Sequence, residues 1–240
     1  MDTARNASVP LYRRVYEIVV QRIVSGELRP GAMLPSETDL GAELGVSQGT
    51  ARKALIELEQ SGVIERRQGR GTFVATTTPE SALFHFFRLR RTDGTQAIPE
   101  PLEETVRKRR GTAKEVAVLD CDKGSSVFEI ARVRSIDGRL VSRETSILQA
   151  RLFPGIGDRG TLPNALYTLY QQAYGFAVVR AEEKLRAVPA SEAIASALEI
   201  AEGTPLMEVE RRALDITGRV IEFRLSLYVT DDLSYNVTLK

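Results

Sequence analysis

Leu34-Pro-Ser-Glu-Thr-Asp-Leu-Gly-Ala-Glu-Leu-Gly-Val-Ser-Gln-Gly-Thr-Ala-Arg-Lys-Ala-Leu55 decides how the first third of this chain reads. Two short helices joined by a tight turn are written into it. Ser36, after Pro35 and three residues before Asp39, is a helix start: its hydroxyl accepts a free N–H, and the acid sits in the first turn. Leu40 and Leu44 share a face. Gly45 ends the helix, because glycine takes a left-handed cap without steric cost. Ser47 caps a second helix, with Ala54, Leu55 and Leu58 as its buried stripe. Gln48, Gly49, Thr50, Arg52 and Lys53 then point outward, and amide, hydroxyl and cation are the groups that read base edges and phosphates. A helical hairpin with a solvated face would carry the same pattern, so the flanking segments decide.

Upstream, Leu11 to Val24 has Val15, Ile18, Val19, Arg22 and Ile23 at helical spacing, and Ser25-Gly26 stops it. Leu28-Arg-Pro-Gly-Ala-Met-Leu-Pro35 is a connector with turn chemistry. Downstream, Ser61-Gly62 closes the second helix. Val63–Arg67 and Gly71–Val74 read as two strands around Gln68-Gly-Arg70. A hairpin with Arg67, Gln68 and Arg70 at its tip, placed directly after a helix-turn-helix, is a wing suited to phosphates or a minor groove.

The 240 residues, 42% of them hydrophobic, allow two domains of ordinary size. No apolar run reaches the roughly 18–20 residues of a membrane span. One cysteine, Cys121, cannot form an internal disulfide, and Met1–Ser8 has no signal-peptide core, so the chain reads as cytoplasmic. Net charge is +1, and the bulk balance announces no polyanion partner. Distribution does: Arg52, Lys53, Arg66, Arg67 and Arg70 cluster, opposed only by Glu57, Glu59 and Glu65. A local basic face on a near-neutral protein implies modest affinity per module and therefore a homodimer on DNA.

Residues 1–75 are thus expected to form the DNA-binding domain, 76–82 a polar linker, and 83–240 a second domain. In that second domain Leu83–Leu89 reads as a strand ended by Asp93-Gly94. Ala97–Arg110 reads as irregular, with Arg107-Lys-Arg-Arg110 a solvated loop or strand end. The chain then repeats itself. Leu119-x-Cys121-x-x-Gly124-x-x-Val127-Phe-Glu129-Ile-x-Arg132 matches Leu198-x-Ile200-x-x-Gly203-x-x-Leu206-Met-Glu208-Val-x-Arg211 without a gap. Each copy runs into a hairpin, at Asp137-Gly138 and at Thr217-Gly218, so one antiparallel sheet built from a duplicated motif is expected. Asn164–Tyr174 reads as a helix closed by Gly175, and Phe176–Val188 as a further strand.

Face parity puts Phe128, Ile130, Arg132, Arg134 and Ile136 on one side of the first hairpin. A three-residue loop bulged at Gly138 sets Glu144 across from Arg132, whereas a two-residue loop sets them on opposite faces. In the second hairpin Ile221, Phe223, Leu225, Leu227 and Val229 read as core, and Glu222, Arg224, Ser226 and Tyr228 line the other face. Such charges suit either a solvated sheet with cross-strand ion pairs or a cavity for a polar ligand.

Pro10-Leu-Tyr…Gly26-Glu-Leu-Arg-Pro-Gly…Leu34-Pro-Ser-Glu…Leu44-Gly-Val-Ser…Thr50…Arg52-Lys-Ala-Leu…Gln68-Gly-Arg-Gly-Thr-Phe-Val74 resembles the DNA-binding domain of the GntR family of bacterial transcription regulators. The resemblance implies a winged helix-turn-helix in which Ser36, Ser47, Thr50, Arg52, Gln68, Gly69, Arg70 and Thr72 meet DNA, beside the outward Gln48, Lys53 and Arg67. Many members have Arg where this chain has Thr38 and Gln48, which implies a different operator.

Arg132-Val-Arg134…Asp137-Gly…Glu144…Phe153-Pro-Gly…Leu166-Tyr167…Tyr174-Gly175…Gly203-x-Pro-Leu…Glu222…Tyr228…Tyr235 is similar to the effector-binding UTRA domain of the HutC subfamily. That implies an α+β protein whose second half is a chorismate-lyase-like antiparallel sheet with helices and a small-molecule pocket. By the same resemblance Arg132, Arg134, Glu144, Tyr167, Glu222 and Tyr228 fall at pocket positions, while His85, set among phenylalanines, reads as a core or pocket-wall residue. Paired guanidiniums suit an anionic effector. Phe84-His-Phe-Phe87 stands where sugar-phosphate binders often have Ser-Phe-Thr, which favours a carboxylate over a sugar phosphate.

A ligand-controlled repressor, without cofactor, metal or membrane partner, is the reading these features support together. A constitutive DNA-binding protein with a vestigial pocket, or an enzyme on the chorismate-lyase-like fold, are the alternatives. With His85 as the only histidine and Cys121 as the only cysteine, neither a His/Cys metal cluster nor a Cys-His pair is to be had beyond a single couple far apart in sequence.

Overall fold

The computed structural model describes residues 9–76 and 88–237. It divides into two compact units, Met1–Thr76 and Thr77–Lys240. Most of the 76–82 linker, the Leu83–Phe87 part of the first expected strand, and His85 with its phenylalanines lie outside the described residues.

In the first unit, helices α1 (Leu11–Val24), α2 (Glu37–Leu44) and α3 (Gln48–Gln60) precede a hairpin of β1 (Ile64–Arg67) and β2 (Gly71–Val74). Val15, Val19 and Val20 of α1 join Leu40, Ala51, Ala54, Leu55 and Leu58 in the core. Val20 lies beyond the stripe read from periodicity. Gly45 takes the left-handed cap at φ 65°. Gly41 matters for a different reason: a Cβ there would lie 2.9 Å from the Val46 carbonyl oxygen, so the turn closes only on a bare Cα. Strand pairing runs from Ile64↔Val74 to Arg67↔Gly71, which leaves Gln68, Gly69 and Arg70 as the tip.

The second unit is built on a six-stranded antiparallel sheet of order β4-β5-β6-β9-β8-β7. Its strands are β4 (Glu100–Arg110), β5 (Ser126–Ile136), β6 (Arg139–Gln149), β7 (Val178–Pro189), β8 (Pro205–Asp215) and β9 (Val220–Val229). Helices α4 (Ala113–Val118) and α6 (Glu192–Leu198) follow the two edge strands, and α5 (Leu166–Tyr174) sits between the halves in sequence. A separate ribbon pairs β3 (Leu89–Arg91) with β10 (Leu233–Tyr235).

Four expectations need correction. The segment Ala97–Arg110 is not irregular. From Glu100 on it is an edge strand paired to β5 from Glu100↔Ser135 to Arg110↔Ser126. An edge strand tolerates Pro101 and a dense charge run, because one of its sides pairs with nothing, and those features hid it. Arg107-Lys-Arg-Arg110 is therefore strand, with Arg107 and Arg109 tied to Glu129 on β5.

The first hairpin turns on two residues, Asp137 (φ 52°) and Gly138 (φ 80°), with Ile136 opposite Arg139. Yet Glu144 does lie across from Arg132, because an irregularity at Arg134/Ser135 restores the parity that a two-residue turn would have reversed. The matching irregularity in the second copy, at Ala213/Leu214, moves Ile221 off the face of Phe223. Ile221 joins the cluster of Phe128, Ile130, Leu148 and Tyr170 instead. Leu225 and Leu227 are only half-buried, while Glu222, Arg224, Ser226 and Tyr228 are buried. Finally, Asn164 and Ala165 precede α5 rather than starting it.

The duplication reaches further than the motif that revealed it. At the offset separating Leu119 from Leu198, β4 maps onto β7, α4 onto α6, β5 onto β8 and β6 onto β9. The result is a sheet with a pseudo-two-fold axis between β6 and β9. One face of the sheet carries Leu119, Val127, Ile147 and Phe223, with Leu198, Leu206 and Val229 in an adjoining cluster near α6. The face toward α5 is apolar at one end and strongly polar in the middle.

Candidate functional site

Two places gather chemistry. In the head, the start of α3 is exposed at Gln48, Gly49, Arg52 and Lys53, with Thr50 half-buried. Ser47 caps it, accepting from the Thr50 amide at 3.2 Å, and its hydroxyl also meets the Thr50 hydroxyl at 2.9 Å. No acid occupies the first turn of α3, whereas α2 begins with Glu37 and Asp39. The positive end of the α3 dipole is thus left open to an anion. Ser36 is turned inward on its own helix, bonded to Asp39.

The cations divide. Lys53 lies over the Tyr12 ring at 3.9 Å, Arg67 is tied to Glu65 and lies over Phe73, and Arg66 pairs with Glu37 and Glu59. Among the described residues Arg52 and Arg70 carry no such ties. Lys53 and Arg67, expected to face outward for DNA, remain at the surface of the head while resting on a ring or a carboxylate of the head itself. Gln68, Gly69 and Arg70 form the exposed wing tip, and Thr72 is half-buried beside it.

In the second unit the expected pocket residues do converge, and they are buried. Arg132, Arg134, Glu144 and Glu222 are each no more than 2% exposed, and Tyr167 and Tyr228 are covered as well. Register explains the convergence: Arg132 faces Glu104 on one side and Glu144 on the other, while Glu144 faces Ser226 and Ser146 faces Arg224.

The side chains pair off. Arg132 donates to Glu104 at 2.7 Å and to the backbone carbonyls of Leu162, Pro163 and Asn164. Arg134 donates to Glu144 at 2.6 Å, to the Pro99 carbonyl and to the Asn164 side chain. Arg224 is bonded to Glu222 and Ser146, and lies over the Tyr167 ring. Arg211 donates to Glu183 at 2.5 Å, the pseudo-two-fold counterpart of Arg132 and Glu104. Tyr228 donates to Glu144 at 3.2 Å.

Electrostatics follows from this geometry. Burial alone would raise the Glu144 carboxyl, but the guanidiniums of Arg134 and Arg224 override it and bring it down to about 2. Burial, with Arg134 next to it, lowers Arg132, so its charged form is held under stress although Glu104 is bonded to it. Burial pushes the Tyr167, Tyr170 and Tyr228 phenols up. Two polar atoms, Thr168 Oγ1 on α5 and Ser142 Oγ on β6, are enclosed without a hydrogen-bond partner among the described residues.

Sequence reasoning missed Glu104, Asn164 and Arg211 as members of this network. Glu104 was legible. Carried back at the repeat's own offset, Glu183 lands on it, and both face an arginine of the repeated motif. Asn164 leaves no signal, because its role depends on a loop crossing the sheet.

Residues 104–234 match the UTRA domain, and residues 11–74 match the family described as bacterial regulatory proteins, gntR family. The chain is 27% identical over 242 residues to the transcriptional repressor NagR of Bacillus subtilis, covering 98% of this chain and 97% of that one. It is 28% identical over 204 residues to the histidine utilization repressor of Pseudomonas putida, covering 85% and 82%. The crystal structure of PhnF from Mycobacterium smegmatis superposes with a TM-score of 0.56 at 26% identity, over 94% of this chain and 99% of that one.

Proposed function

This chain belongs to the GntR family of bacterial regulators, in its UTRA-bearing HutC branch, and from that premise we propose a repressor whose hold on operator DNA is set by a small anionic metabolite. The observation that carries the DNA half is Arg52. It is exposed on the first turns of α3, above a helix start without an acid and beside a wing that offers Arg70. Ser47, Gln48, Thr50, Gln68, Gly69 and Thr72 complete that surface, and Ser36 adds the α2 terminus. One such head supplies few phosphate contacts, so two heads of a homodimer on a palindrome give usable affinity.

The effector half rests on Arg132 and Arg134. Burial and the neighbouring Arg134 disfavour the charge of Arg132, and an anion arriving between the two guanidiniums relieves that stress. It competes with Glu104 and Glu144 for the same donors. Exchange of partners would loosen the 162–164 loop and the Pro99 carbonyl, which the arginines hold. That supplies the unequal affinity for two arrangements which any ligand control requires. Glu222, Tyr167 and Tyr228 would meet the ligand's hydroxyl or amino groups, and a carboxylate fits better than a sugar phosphate.

Catalysis is the weaker reading. A carboxyl held near 2 is a poor proton donor or acceptor at neutral pH, and the others of the network are bonded to arginines. A cytoplasmic protein acting on chromosomal DNA suits all of these features.

The test is a mobility shift on the DNA upstream of the protein's own coding region, with and without small carboxylates and phosphates, beside a thermal-shift screen of the same anions. Binding that weakens with an anion that also raises the melting temperature supports the reading. Absence of binding to any neighbouring intergenic DNA would refute it.

A further inference from the structure

Among the described residues, no backbone strand pairing joins the ribbon of β3 and β10 to either edge of the six-stranded sheet. Three residue pairs hold it together, Leu233↔Arg91, Ser234↔Arg90 and Tyr235↔Leu89, with the Asn236 amide adding a bond to the Arg88 carbonyl. A two-stranded ribbon so short has little stability of its own, so side chains place it. Leu89, Ala97, Leu233 and Tyr235 cluster with Val209 and Tyr228 of the sheet.

Polar ties hold both of its ends. At one, Tyr235 donates its hydroxyl to Glu183, whose other oxygen accepts from Arg211. At the other, Arg91 pairs with Asp137, and Asp231 and Asp232 pair with Arg139. In sequence, β3 directly follows the residues that lead from the head. The pairing with β10 therefore fixes where β3 lies, the first strand of the second unit among the described residues.

Tyr228 joins this ribbon to the arginine network. Its hydroxyl is on Glu144, the partner of Arg134, and its ring is in the cluster with Leu89 and Tyr235. We propose that the β3–β10 ribbon is the transmission element of the regulator: Tyr228 reads the Arg134–Glu144 pair, and Tyr235, clamped on Glu183 and Arg211, holds the ribbon in the arrangement that this pair selects. The proposal rests on the regulator reading above. Tyr228 and Tyr235 are positioning residues in it, and the Glu183–Arg211 pair, the duplicated copy of Glu104–Arg132, ties the ribbon to the network.

A double-mutant cycle in the full chain tests this without knowing the effector. Glu144→Gln imitates loss of the Arg134 partner, and Tyr235→Phe removes one hydroxyl. Operator affinity is read by mobility shift on the upstream DNA. Amide hydrogen exchange is read in 88–91 and 233–236 against α3 as the internal reference. Glu144→Gln is expected to change operator affinity by about fivefold or more, and by less than about twofold in the Tyr235→Phe background, with Tyr235→Phe alone within about twofold of wild type. Exchange in the ribbon should rise about tenfold in either variant while α3 is unchanged. If Glu144→Gln does not fold, Tyr228→Phe takes its place with the same expectations. An affinity change of equal size with and without the Tyr235 hydroxyl, or no change and no altered exchange in the ribbon, overturns the proposal. Should wild type bind no DNA, the regulator reading falls, and the exchange arm still decides whether network and ribbon are coupled.

Discussion

Arg52 and Arg132 are the same side chain in opposite circumstances. Arg52 stands on the exposed face of α3 without an ion pair among the described residues. Arg132 is 2% exposed and is bonded to one carboxylate and three backbone carbonyls. In the proposed role Arg52 is kept free of partners within the protein, which would compete with a phosphate or a guanine. The body cannot leave a guanidinium free, because a buried unpaired charge is costly. The two units therefore use arginine differently: one leaves it exposed without an ion pair among the described residues, the other ties it into internal order.

Removing each arginine should separate these uses. Arg132→Ala leaves Glu104 and a crossing loop without their partner, so stability should fall by about 3–5 kcal/mol, measured by urea unfolding followed in the sheet. This cost also means that alanine at Arg132 and Arg134 together reports on folding before it reports on ligand control. A wild-type-like midpoint would show that the arginine is held for the ligand alone.

The network has a pH signature next in size. The Glu144 carboxyl is shifted from its ordinary 4.5 to about 2. Because the folded-state value is the lower one, its stabilisation is complete above about 4.5 and is lost as pH falls toward 2. Melting temperatures recorded across that window should decline less steeply in Glu144→Gln than in wild type. Parallel curves would mean that the carboxylate is not held ionised.

Arg52→Ala should leave the melting temperature alone and weaken operator binding by about 1–3 kcal/mol, with discrimination relaxed at one base pair. Uniform weakening on all DNA would make Arg52 a phosphate contact. The smallest effect separates capping from contact: Ser47→Ala should cost about 1 kcal/mol in head stability through the lost bond to the Thr50 amide. A loss of DNA affinity with no loss of stability would place Ser47 on the DNA instead.

Legibility in the sequence followed the range of the signal. Ser36, Gly45, Ser47 and the Gln68–Arg70 tip act through neighbours a few residues away, and each sits as the local pattern requires. The duplicated motif was visible because it aligns without a gap. Its edge strand β4 was not, since proline and charge at an edge look like loop. Glu144 opposite Arg132 came out of parity, although the compensating irregularity sits at Arg134/Ser135 rather than at Gly138. That Lys53 lies over Tyr12 and Arg67 over Phe73 was not legible, because nothing local says that those rings come within reach.

The amino-acid sequence by itself determined the two-part plan, the caps and turns of the head, and the residues that meet on the sheet's polar face. These depend on periodicity and on backbone preferences that each residue carries with it. Only the tertiary structure decided which cations carry ties, that the Asn164 side chain and four backbone carbonyls meet the two arginines, and that β10 holds β3. Those outcomes depend on which distant segments come within about 3 Å of one another, the range at which a hydrogen bond forms.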